Sequence, residues 1–236
     1  IWQSVWLEFF EQDCIESYSL KADIDNRSVK GEIHTMYALA DEAEIVLTFQ
    51  GKILQKQRLL LPHKRTRFTV DLADNAFDFN GLLWSPENPN LISVDFTLYA
   101  DGKPCDRAHT RLGLRKVHID ETGKICLNNK PLYQRLILVQ GYWEESGLTP
   151  PSAEAIKKDI ELAKAMGFNG ARKHQKFEDP YFYYYAEELG FLTWCEMPSA
   201  LTFCAEEVAS VTREWQEILS VAKNFTSNIA YVPLNE

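Results

Sequence analysis

Apolar and polar positions alternate with a period near two through much of the first 120 residues. Short runs of this kind cover residues 17–24, 29–37, 44–49, 68–72, 92–99 and 112–117. Turn formers separate them: Asp25-Asn26, Gln50-Gly51, the stretch from Pro86 to Asn90, and Asp101-Gly102. About seven short strands at this spacing predict an immunoglobulin-like β-sandwich. Residues 1–10 read as one more strand that does not fit the sandwich, the last of a preceding β domain.

The pattern changes after Asp120-Glu121-Thr122-Gly123. Residues 132–141 are a continuous apolar strand. Ser152 then reads as a helix N-cap, Ile156, Ile160, Ala163 and Met166 follow at helical spacing, and Gly167 stops the helix. Residues 168–172 read as a second strand. Asp179-Pro180 opens a second helix, with Asp as cap and Pro at the first helical position. Phe182, Tyr185 and Leu189 line one face of that helix, and Gly190 ends it. Residues 191–196 give a third strand. Val208, Val211, Trp215, Ile218 and Ala222 mark a third helix, and residues 228–236 a fourth strand. Apolar strands alternating with helices predict a parallel sheet. Four such units are half of a (β/α)8 barrel, whose full length is typically ~250 residues.

Composition narrows the partners. The chain has 236 residues, 45% of them hydrophobic, enough for two cores. A net charge of -9 offers no phosphate-neutralising surface and argues against nucleic acid. No apolar run approaches the ~20 residues of a membrane helix. Cys14, Cys105, Cys126, Cys195 and Cys204 are odd in number and lack CxxC spacing. That disfavours zinc and a disulfide framework and favours a reducing compartment, so a cytoplasmic location is expected. The first residue is Ile1, not Met, so secretion stays open, and both ends read as cut from a longer protein.

Polar groups gather at the predicted strand tips: Gln140, Trp143, Glu144 and Glu145 after the first, Arg172 to Gln175 after the second, Glu196 after the third, and Asn235-Glu236 after the fourth. In a barrel these tips share one rim, where reacting groups sit. Carboxylates for acid/base work, an arginine for hydroxyls and an indole ring for a pyranose face suit a sugar. Each residue also has a structural reading. Arg172 can pair with Glu196 across adjacent strands, His174 can be a satisfied loop histidine, and Glu144-Glu145 can be a solvated face. Trp84 suits the sandwich core better than a ligand platform.

Three stretches resemble glycoside hydrolase family 2: Trp2 to Glu8, Leu83 to Pro89 and Arg111 to Val117. So do Ala171 to His174, Asp179-Pro180, Trp194 to Ser199 and Val232 to Glu236. The resemblance, to the β-galactosidases, β-glucuronidases and β-mannosidases, covers essentially the whole chain in order. It implies that residues 1–12 are the last strand of a truncated sugar-binding jelly roll, 13–119 the sandwich, and 120–236 the N-terminal half of the catalytic barrel. It implies a retaining β-glycosidase with Glu236 as general acid/base. Asn235 would bind the sugar 2-hydroxyl, Arg172 takes the position of the family's active-site arginine, and Glu196 lies near an acidic position of the site; with His174 and Trp143 of the strand tips they are the expected substrate-binding residues. No cofactor is implied, beyond a divalent cation that some β-galactosidases hold near the position of Glu196. Two departures stand out. Lys173-His174-Gln175-Lys176 replaces the Ser-His-Tyr-Pro of the galactosidase and glucuronidase pattern. The nucleophilic glutamate of the seventh strand lies beyond residue 236, so the 236 residues alone are expected to be inactive. Open sheet edges in a half barrel predict self-association. The alternative reading is a non-catalytic carbohydrate-binding or scaffold module.

Overall fold

A computed structural model describes residues 5–73 and 78–235. The first half forms β1 (Ile15–Asp23), β2 (Ser28–Thr35), β3 (Glu42–Phe49), β4 (Lys52–Leu60), β5 (Arg65–Asp71), β6 (Ile92–Ala100) and β7 (Lys103–Leu112). These build two antiparallel sheets, β1-β2-β5 and β4-β3-β6-β7. Alternation dictates their packing. Along β3 every second residue is buried, and Ala43, Ile45, Leu47 and Phe49 share one face. In β6 the same rule buries Ile92, Val94, Phe96 and Leu98. They meet Val29, Ile33, Phe68 and Val70 of the other sheet in one core. At Gly31 a Cβ would collide with the Phe68 ring, so a glycine is required there.

Three sequence expectations shift. Lys52–Leu60 and Lys103–Leu112 are strands that the hydrophobic pattern did not predict. Residues 112–117 are not a strand: β7 ends at Leu112, and Leu114 only bridges to Leu83. Residues 5–12 contain no strand, and Val5, Trp6, Leu7 and Phe9 are exposed. A strand needs a hydrogen-bonded neighbour, and these residues have none among those described.

A small meander, β8 (Val117–Ile119), β9 (Ile125–Leu127) and β10 (Lys130–Pro131), links the halves. The expected boundary between residues 119 and 120 falls on its first turn, where the Asp120 carboxylate accepts from the Thr122 and Lys124 amides. Then come β11 (Leu136–Val139), α1 (Ala153–Ala165), β12 (Gly170–Lys173), α2 (Pro180–Leu189), β13 (Leu192–Glu196), α3 (Ala205–Ala222) and β14 (Asn228–Val232). The four strands are parallel in the order β11-β12-β13-β14. The helix signals act as expected. Ser152 caps α1 through the Ala155 amide, Asp179 caps α2 through the Tyr181 amide, and Gly190 closes α2 in the left-handed conformation. Helices α1 and α2 cover one face of the sheet, burying Ile156, Ile160, Ala171, Phe182, Tyr183 and Phe191. Tyr183, not Tyr185, is the fully buried ring of α2, stacked 4.4 Å from Phe225.

The halves dock through the stretch that follows β7. The Arg115 guanidinium donates to the Thr226 and Asn228 carbonyls at 2.6 and 2.5 Å. The Gly113 amide donates to Thr226 Oγ1, and the Trp84 indole to the Glu187 carbonyl. Trp84, expected in the sandwich core, is fully buried at this seam and is not part of the sandwich cluster.

Candidate active site

Side chains on successive strand positions point to opposite faces of a sheet. On β12 this rule sends Ala171 and Lys173 toward the helices and Arg172 to the other face. Register places Leu138, Arg172, Trp194 and Ala230 side by side across the four strands. Glu196 lies two residues beyond Trp194, on the same face and at the C-terminal tip of β13. Arg172 therefore reaches Glu196 diagonally, with Nε 2.6 Å from Oε2. Its other arm donates from Nη2 to Asn235 Oδ1 at 2.7 Å. One planar guanidinium thus ties the tip of β13 to the segment after β14, a use of the fork that lysine cannot copy.

The second Glu196 oxygen fixes the turn after β12. It accepts from the Gln175 amide at 3.2 Å, and His174 Nδ1 stands 3.0 Å away, off the line a hydrogen bond needs. Gln175 adopts a left-handed backbone, φ +48°, and its side-chain oxygen accepts from the Ser199 amide. The loops after β12 and β13 are thereby joined. Beside them, between these loops and α3, lies an open groove of about 690 Å³ lined in part by Tyr142, Leu148, His174, Lys176, Glu214 and Ile218; Arg172, Glu196 and Asn235 are not among its lining residues.

The structure sorts the residues predicted from sequence. Arg172, His174, Glu196 and Asn235 come together. Glu236 lies outside the described residues. Glu196 was expected to touch substrate, but its side chain is fully buried and its oxygens face Arg172, His174 and a backbone amide. Its oxygens hold Arg172 and the turn after β12. A divalent cation there would compete with Arg172 for one Glu196 oxygen and with the Gln175 amide for the other. Among the described residues no three His, Cys, Asp or Glu side chains group as ligands. Trp143 was expected as a sugar platform. Its ring instead packs on the helix side of the sheet, in a cleft with Ile137, Ile156, Ile160 and Phe182. Its indole N–H finds no acceptor among the described residues.

Sequence reasoning missed two features. Trp194 shares the face of Arg172, held by a hydrogen bond from its indole to Gln134 Oε1. The period of β13, which puts Trp194 and Glu196 on one side, was the available signal. Behind the tip of β12, Lys173 and Lys176 both pair with Glu178, and all three are buried. Burial pushes the Lys173 ammonium below its ordinary pKa despite the pairing with Glu178.

This mostly β chain, with few helices, matches solved enzymes along nearly all its length. It superimposes on a β-glucuronidase from Ruminococcus gnavus, solved with D-glucuronic acid, with a TM-score of 0.79 over 95% of this chain and 37% of that one. Bacteroides uniformis β-glucuronidase 3 gives 0.76 over 94% and 27%. Both are 21% identical, which establishes the fold alone. In sequence, a putative β-glucuronidase of Formosa agariphila is 33% identical over 123 residues, half of this chain. A β-glucuronidase of Bacteroides fragilis is 26% identical over 189 residues, 75% of it. The chain spans 14% and 24% of the length of these two relatives. Residues 14–115 match the family model of glycosyl hydrolases family 2. Over that stretch the chain is similar to this family.

Proposed function

We propose that this chain carries an immunoglobulin-like sandwich and the first half of a (β/α)8 barrel of a retaining β-glycosidase of the galactosidase and glucuronidase class. The observation that supports this reading is the Arg172–Glu196–Asn235 arrangement at the C-terminal ends of neighbouring parallel strands, where barrel enzymes carry their chemistry. The substrate is a carbohydrate with a β-linked terminal sugar. Asn235, oriented by Arg172, binds a sugar hydroxyl. Glu236, the next residue, protonates the leaving oxygen and then takes a proton from water. A second carboxylate, about 5–5.5 Å from the first in retaining enzymes, forms the glycosyl-enzyme. None of the 236 residues is assigned that role, so this chain by itself turns over no glycoside.

Hydrolysis of an aryl β-glycoside panel by a protein that includes the completed barrel, with Glu236→Gln alongside, tests the reading. Cleavage of one glycoside, lost in the variant, supports it and names the sugar. A folded protein that cleaves none would remove it.

In the chain alone β11 and β14 are sheet edges, and Leu138 is half exposed on the face opposite the helices. The chain alone therefore self-associates, and a monodisperse monomer by light scattering would oppose this. A cytoplasmic location suits five free thiols, one of them, Cys204, exposed. Recovery of a disulfide-linked protein from the extracellular fraction would oppose that.

A further inference from the structure

The ion cluster behind β12 has a shape that simple packing does not demand. Lys176 is buried, and its ammonium has three protons to place. The acceptors are Glu178 Oε1 at 3.0 Å, the Gly141 carbonyl at 3.0 Å and the Leu148 carbonyl at 2.7 Å. The two carbonyls bracket the loop that follows β11. Lys173 holds the other oxygen of Glu178. Gly141 sits over the cluster at φ +76°, where a Cβ would lie 2.7 to 2.9 Å from Lys173 Nζ, Lys176 Nζ and Glu178 Oε2. Between the bracketing residues the loop closes as a tight hairpin, Trp143 and Gly147 exchanging backbone hydrogen bonds of 2.7 and 2.9 Å. Tyr142 and Leu148 from this loop line the groove beside His174 and Gln175.

We propose that Lys176 is a positioning residue: it clasps the 141–148 loop to the tip of β12 and so fixes Tyr142 and Leu148 as one wall of the substrate groove. The role of the wall rests on the glycosidase reading; the clasp itself does not. Lys176 itself lines the groove, but its ammonium is turned to Glu178 and the two loop carbonyls. The wall contacts substrate equally before and during reaction, so its loss weakens binding and leaves the chemical step.

Two measurements test this. The first is hydrogen exchange in the chain as it stands. The Trp143 and Gly147 amides exchange slowly, and Lys176→Met speeds them by at least about tenfold while β12 and β13 amides keep their rates. Free-loop exchange at these two amides in the unsubstituted chain would overturn the clasp without any variant, should Lys176→Met fail to fold. So would unchanged exchange in a folded variant.

The second is kinetics in a protein with the completed barrel. Lys176→Met raises KM about tenfold with kcat within about twofold, and Lys176→Arg, which keeps charge and donors, recovers part of the loss. An equal fall in kcat with KM unchanged, or no effect despite a loosened loop, would overturn the positioning role. No turnover by the unsubstituted protein would count against the glycosidase reading, while the exchange data still decide the clasp.

Discussion

The two faces of the parallel sheet differ in what they bury. The helix side buries Ala171, Tyr183, Phe191 and the other rings of a continuous apolar cluster, with the Lys173–Glu178–Lys176 ions at its upper edge. The opposite side carries Arg172, Trp194 and Glu196 and leaves Leu138 and part of Arg172 in solvent. A strand whose neighbours differ this much does two jobs. Ala171 and Lys173 pack on the helix side, and Arg172 between them reaches Glu196 and Asn235 on the other. Core packing and the Arg172 contacts are therefore separable by substitution on alternate positions of a single strand.

The largest effect belongs to the helix side. Phe191→Ala, at a ring that is 1% exposed, costs about 3–5 kcal/mol by urea unfolding. A cost under about 1 kcal/mol would show that the cluster is loosely packed and end the contrast.

Next comes the seam between the sandwich and the parallel sheet. The Glu187 carboxyl is buried there beside Arg111, and it accepts from the Thr226 amide. Burial dominates, and it lifts the Glu187 pKa from 4.5 to about 7. An acid whose folded pKa is raised binds more protons folded than unfolded. Its contribution is complete below 4.5 and is lost as pH rises through about 7. Stability against urea thus falls between these pH values relative to Glu187→Gln, by a few kcal/mol at most. Parallel pH profiles for the two proteins would refute the assignment.

The smallest is the α1 cap. Ser152→Ala loses the bond to the Ala155 amide and about 1 kcal/mol. Thermal melting checks it, and an unchanged midpoint would mean that α1 is held by packing alone.

Local rules made much of this legible. Ser152, Asp179-Pro180 and Gly190 set helix ends through bonds to their own neighbours, so sequence reveals them. Strands whose apolar residues alternate, such as β3 and β6, were equally plain. β4 and β7 were not, because Lys, Gln, Arg, Asp and His fill most of their solvent-facing positions. They are the outer strands of their sheet, where charge guards against mispairing. The site was legible as a set of strand tips. What each residue does there was not. Glu196 and Trp143 bear side chains suited to sugars, but their roles follow from burial and facing, which only tertiary packing sets. Lys176 and Glu178 look like solvated loop charges until the fold closes over them.

In the proposed function, the Arg172 fork on the face opposite the helices orients Asn235 toward a sugar hydroxyl. The direct test is Arg172→Lys in a protein with the completed barrel, assayed for aryl β-glycoside hydrolysis and for urea stability together. Lysine keeps the charge beside Glu196 but cannot hold Glu196 and Asn235 at once. The expected result is a loss of about 100-fold in kcat/KM with stability changed by less than about 1 kcal/mol. Full activity in Arg172→Lys, or a loss that only follows unfolding, would contradict the account.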